Sequence, residues 1–143
     1  MSISEKLIEK WYQCRESRYP VLLIITAPAD TLFSDNLIHE FADKTSAKVL
    51  NFISLYQGQL GEFFTWRTIR DQIYKEAKEY PVIVTDLEPI YSKWPVDERL
   101  TFIKNILRSE PPCNITVLLN CQEDLSTLKQ IEPNSRGIVW VPS

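Results

Sequence analysis

Runs of apolar residues alternate with helix-spaced apolar positions along most of this chain. Ile3, Leu7, Trp11 and Cys14 recur at three- and four-residue intervals, and Ser2 and Glu5 have capping-box spacing, so residues 3–16 read as an amphipathic helix. Pro20 restarts the chain as an extended segment. VLLIIT at 21–26 is apolar up to Thr26, which predicts a strand buried on both faces. A second helix follows over 34–44, with Leu37, Ile38, Phe41 and Ala42 as its inner stripe. AKVLNFISL at 47–55 reads as a second strand, and its Lys48, Asn51 and Ser54 suggest a position near the sheet edge.

Tyr56 to Gly61 is a turn region. Trp66, Ile69, Ile73 and Ala77 then mark a helix to about residue 79, with Thr65 as its cap. YPVIVTD at 80–86 is a third strand that opens as the first does, on Tyr-Pro. Residues 88–95, EPIYSKWP, form a polar and aromatic loop, and 97–109 a helix carrying Leu100, Ile103, Ile106 and Leu107 inward. PPCN at 111–114 breaks the chain before the strand ITVLLNC at 115–121. A short helix over 124–131, a turn at 133–137 and the strand IVWV at 138–141 complete the pattern.

Five strands alternating with helices predict a three-layer α/β sandwich around a mainly parallel sheet, because right-handed crossovers put helices on both faces. With 143 residues and 44% hydrophobic content, the chain fits one domain over 1–143.

Composition narrows the chemistry. Sixteen Lys+Arg against nineteen Asp+Glu give a formal net charge of -3, so no global field draws the chain to nucleic acid or an anionic bilayer. Cys14, Cys113 and Cys121 are an odd set without Cys-x-x-Cys spacing, and His39 is the single histidine, an inventory unlike a disulfide scaffold or a Cys/His zinc site. The opening MSISEKLIEKW breaks the apolar core that a secretory peptide needs. No stretch approaches the apolar length of a membrane-spanning helix, so the expected setting is reduced, soluble and cytoplasmic, with no membrane association.

The segment between the first strand and second helix, APADTLFS at 27–34, has the length and position of the phosphate-loop pattern GxxxxGK[ST]. Ala27 and Leu32 stand at its glycines, Phe33 at its lysine and Ser34 at its hydroxyl. Alanine and leucine disfavour the left-handed backbone that lets N–H groups wrap a phosphate, phenylalanine neutralises no charge, and Asp30 repels anions. VIVTD at 82–86 has the apolar-run-then-aspartate form of a Walker B strand, with Glu88 two residues later and Leu87 where a catalytic glutamate usually follows. Asn120 closes the next apolar strand.

On these motifs the whole chain resembles a degenerate P-loop NTPase domain. Among small members it is similar to the BrxF family, the P-loop proteins of type 3 BREX phage-defence systems. The resemblance implies a sheet order of 5-1-4-3-2, numbered along the chain. For an active site it implies Asp86, Glu88 and Asn120 as catalytic positions, Ala27, Asp30, Thr31 and Ser34 as nucleotide contacts, and Ser34 with Asp86 as magnesium ligands. Each has a plainer reading as well: Ser34 as a helix cap, Asp86 as a turn cap, Glu88 as a solvated loop residue, and Asn120 as a tie between loops.

The lost lysine and glycines favour a non-catalytic interaction or regulatory subunit without a cofactor of its own, partnered with a larger ATPase or defence-complex subunit. The aromatics Phe63, Phe64, Tyr91 and Trp94 are the candidate contacts, with core packing the other reading for the last two. A weak or atypical Mg-dependent NTPase is the enzyme alternative. A nucleic-acid-binding accessory protein is the third, through Arg67, Arg70, Lys75 and Lys78, although Asp71, Glu76 and Glu79 alternate with them as on a solvated helix.

Overall fold

A computed structural model describes residues 2–26, 33–131 and 137–142. Helix α1 (Ile3–Arg15) starts at Ser2, whose hydroxyl accepts the Glu5 N–H at 3.2 Å. Strand β1 (Val21–Ile25) leads through residues 26–34 to α2 (Asp35–Thr45), and β2 (Lys48–Asn51) runs straight into the single turn α3 (Phe52–Leu55). Helix α4 (Trp66–Ala77) is capped by Thr65 and followed by β3 (Val82–Thr85), the turn α5 (Glu88–Tyr91) and α6 (Val96–Leu107). Strand β4 (Ile115–Leu119), a 3-10 turn at Gln122–Asp124, α7 (Leu125–Ile131) and β5 (Ile138–Trp140) follow.

All pairings are parallel, and the order is β2-β3-β4-β1-β5, the same order as 5-1-4-3-2 read from the opposite edge. Strand β1 lies between β4 and β5 with Val21 opposite Ile115 and Leu22 opposite Ile138, which explains its complete burial. The partly exposed β2 is an edge strand, as its polar residues suggest.

Side chains alternate across the strands, so each strand feeds two cores. Val21, Leu23, Ile25, Val82, Val84, Ile115, Val117 and Leu119 meet the apolar faces of α4 and α6, including Ile69, Ile73, Phe102 and Ile106. On the opposite face Leu22, Ile24, Ile83 and Leu118 meet Leu7, Trp11 and Cys14 of α1 and Phe41 and Ala42 of α2. The result is a three-layer α/β sandwich.

Two elements depart from the pattern-based expectation. The strand expected over 47–55 ends at Asn51, because the Asn51 Oδ1 accepts the N–H groups of Ile53 at 3.0 Å and Ser54 at 3.1 Å and caps a helical turn. The segment 88–95, expected as a loop, begins with α5, where Pro89 occupies a helix-opening position that has no N–H to satisfy.

Candidate functional site

Parallel strands bring the ends of β1, β2, β3 and β4 to one edge, where α/β folds form their clefts. Four of the sequence-predicted positions, Ala27, Asp30, Thr31 and the glycine-equivalent Leu32, lie outside the described residues. The exit of that segment is described. Phe33, at the lysine position, is half-buried, and its ring packs edge-on to Trp140 of β5 with centroids 6.3 Å apart. Ser34 is the N-cap of α2: its Oγ accepts the Leu37 N–H at 3.3 Å.

Asp86 follows β3 with φ of 55°, in the left-handed region that aspartate tolerates better than most residues. Its Oδ2 accepts a hydrogen bond from Asn51 Nδ2 at 2.8 Å. Asn51 is directly opposite Thr85 in the register of β2 and β3, so the pair joins the ends of adjacent strands. Because the other end of the Asn51 amide caps α3, Asp86 fixes the orientation of that cap.

Glu88 reaches the opposite way. Its Oε1 accepts the backbone N–H of Asn120 at 3.1 Å, which ties the segment after β3 to the end of β4. Asp86, Glu88, Asn120 and Asn51 therefore form a band of side chain and backbone contacts across three neighbouring strand ends. Thr26 extends it to β1 by donating its N–H to the Leu119 carbonyl at 3.0 Å. Among the described residues no group of three or more His, Cys, Asp or Glu is placed to hold a metal ion.

The aromatic candidates divide. Tyr91 and Trp94 are 1% and 2% exposed, so they are core residues, and their proposed role as surface contacts is corrected. Trp94 packs 5.0 Å from Phe102 and 5.8 Å from Tyr91, and its Nε1–H donates to the Phe64 carbonyl at 2.7 Å. The hydrophobic spacing of α6 gave no hint that the loop before it would be drawn inward. Phe64 is half-buried against Tyr56 at 4.7 Å, whereas Phe63 is 61% exposed. Lys93 donates to the carbonyls of Leu60 and Glu62, so the loop that carries Phe63 is held at several backbone points.

A cluster absent from the sequence reading lies beneath this edge. Asp124, 3% exposed, accepts bidentate hydrogen bonds from Arg99 Nε and Nη2, each at 3.0 Å, and a third from the Tyr91 hydroxyl at 2.8 Å. Arg99 Nη1 also donates to the Trp94 carbonyl at 2.9 Å. Burial first, then the hydrogen bond to Asp124, pushes the Tyr91 hydroxyl pKa up, so it remains a donor. The only local signal for this cluster was an acidic residue in a helix-opening stretch; its partners are 25 and 33 positions away.

On α4, Arg67 lies over the Trp66 ring at 4.7 Å, and Arg70 lies over Trp66 and Tyr74 while bonding Asp71 and Asn105. Arg70, expected to face mainly solvent, has a side chain only 23% exposed. His39 is exposed on α2.

No protein-family model and no curated protein sequence matches this chain. Among the described residues no helix is long and apolar enough to cross a membrane.

Proposed function

We propose that this chain is a non-catalytic interaction or regulatory subunit on a P-loop NTPase-like scaffold, working beside a larger ATPase or phage-defence subunit. The observation that supports it best is the use made of the polar residues at the strand ends. Asp86 is bonded to Asn51, Glu88 to the Asn120 backbone and Ser34 to the α2 backbone. Each makes a contact that serves the scaffold without nucleotide, while Phe33 packs on Trp140 at the position of the charge-neutralising lysine. An NTPase needs that charge together with hydroxyl and carboxylate groups available to magnesium.

Phe63 is the proposed partner contact. It combines high exposure with a loop braced by Lys93 and Trp94, so little ordering entropy opposes its insertion into an apolar pocket.

The test has two arms. Calorimetry with Mg·ATP and Mg·GTP should show no saturable heat. Native purification of the tagged chain from its host should retain an ATPase subunit, and Phe63→Ala should weaken that association tenfold or more. Magnesium-dependent hydrolysis by the chain, abolished by Asp86→Asn, would instead establish the atypical NTPase reading.

A further inference from the structure

We propose that the face of β4 beneath α1 and α2 binds one internal water molecule, which bridges the Asn114 side-chain amide and the Thr116 hydroxyl. Asn114 is 6% exposed and Thr116 0%, and neither the Asn114 Nδ2 nor the Thr116 Oγ1 has a hydrogen-bond partner among the described residues. Stranding either group costs stability, and buried polar atoms in folded proteins are nearly always satisfied by protein or by ordered water. Two orphans two positions apart on one strand point to a shared partner.

The sheet places them on one side. Side chains alternate along a strand, so Asn114, Thr116 and Leu118 project to the same face, and Leu118 belongs to the core beneath α1 and α2. Asn114 precedes β4, but its carbonyl accepts the Val82 N–H at 2.9 Å, so the ladder already begins there. Alternate residues of a strand are about 6.6 Å apart along its axis. An asparagine side chain leaning along the strand shortens this to the span of one bridging water, two hydrogen bonds of about 2.9 Å.

The surroundings select water over other small ligands. Thr116 lies in register between Leu22 of β1 and Ile83 of β3, with Leu118 beyond it, and all three are buried apolar residues. The other polar groups of this core are committed: the Cys14 thiol donates to the Val21 carbonyl at 3.4 Å and the Thr45 hydroxyl to the Phe41 carbonyl at 2.8 Å. Asp124, the buried carboxylate among the described residues, is held by Tyr91 and Arg99 on the opposite side of the sheet. An N–H donor beside a hydroxyl, with no carboxylate, disfavours a metal ion, and an apolar setting without a cation disfavours an anion. Water fits both groups, since it accepts from the amide and exchanges a hydrogen bond with a hydroxyl that can donate or accept.

This site is separate from the Asp86 edge, and its test does not depend on the proposed subunit role. Water-selective NOE and ROE spectra of the full-length ¹⁵N-labelled chain should show a long-lived water at the side-chain amide protons of Asn114 and none at those of the exposed Asn36. Thr116→Val keeps the shape of the side chain and removes the hydroxyl. The water signal at Asn114 should then disappear, and the unfolding constant measured in urea should rise about fivefold or more as the amide loses its bridge. Thr116→Ser, which retains the hydroxyl, should retain the water signal. An orphan hydroxyl predicts the reverse, because valine would relieve a buried unpaired group and raise stability. The proposal is overturned by the absence of a long-lived water at Asn114 in the wild-type chain, by a signal that survives Thr116→Val, or by a Thr116→Val chain more stable than wild type. The wild-type spectra decide the matter even where Thr116→Val does not fold.

Discussion

Replacing Arg99 by methionine would leave Asp124 buried with one neutral donor in place of a bidentate cation. The wild-type carboxylate receives two bonds from Arg99 at 3.0 Å and one from Tyr91 at 2.8 Å, and its side chain is 2% exposed against 16% for Arg99. Burial on both sides removes the solvent screening that makes surface pairs nearly worthless. Breaking such a pair from one side costs about 3–5 kcal/mol, chiefly because the remaining charge is stranded. At roughly 3 °C per kcal/mol for a chain of this size, Arg99→Met should melt some 9–15 °C lower.

A double-mutant cycle separates a stranded charge from lost packing. Arg99→Met with Asp124→Asn should lose less than the sum of the single changes, with coupling of about 1–3 kcal/mol, because the double change leaves no charge stranded. Urea unfolding of the four proteins measures this. A loss below about 1 kcal/mol for Arg99→Met, or losses that simply add in the double variant, refutes the account.

Two further outcomes follow from the cores. Burial pushes the Cys14 and Cys121 thiols from 9.0 up to about 12, so stability is intact below pH 9 and falls as pH rises toward 12. At pH 10 each thiol should account for about 1.4 kcal/mol of loss, and urea unfolding of Cys14→Ala/Cys121→Ala should show a shallower decline between pH 8 and 10 than wild type. Gly137→Ala should cost about 1–3 kcal/mol by the same assay, while Gly61→Ala stays close to wild type. A Cβ at 137 would meet the Val21 carbonyl oxygen at 2.9 Å and that of Leu107 at 3.0 Å, whereas one at 61 meets nothing within 4 Å.

The sheet was readable because its signals are local. An unbroken apolar VLLII can satisfy both faces of β1 only at the centre of the sheet, and the polar residues of β2 fit an edge. The end of β2 was not readable from hydrophobicity, since FISL continues the apolar run and the Asn51 amide decides where the strand stops. The candidate edge was legible as a set of positions but not as a set of partners. Nothing near Asp86 in sequence points to Asn51, 35 residues away, nor does anything near Glu88 point to the Asn120 backbone, 32 away; strand order and register create both contacts. Tyr91 and Trp94 stood between surface contact and core packing because no helical or strand period runs through EPIYSKWP, and their burial depends on partners from Phe64 to Asp124.

The segment that leaves β3 has a mechanical role that bears on the proposed contact surface. Asp86 and Glu88 fasten its start to β2 and β4, Tyr91 fastens its middle to Asp124, and Lys93 and Trp94 donate to carbonyls at Leu60, Glu62 and Phe64. Five side chains within nine residues thus fix this segment, three of them to β2, β4 and Asp124 and two, Lys93 and Trp94, to the loop bearing Phe63. In an NTPase, carboxylates after this strand face metal and water, and bonding them to neighbouring strands would compete with that work. In a subunit that presents an aromatic side chain to a partner the same bonds are an advantage, because a rigid support lowers the entropy lost when Phe63 is buried. The edge that P-loop proteins keep open for nucleotide is therefore, by this reading, the brace for an interaction surface beside it.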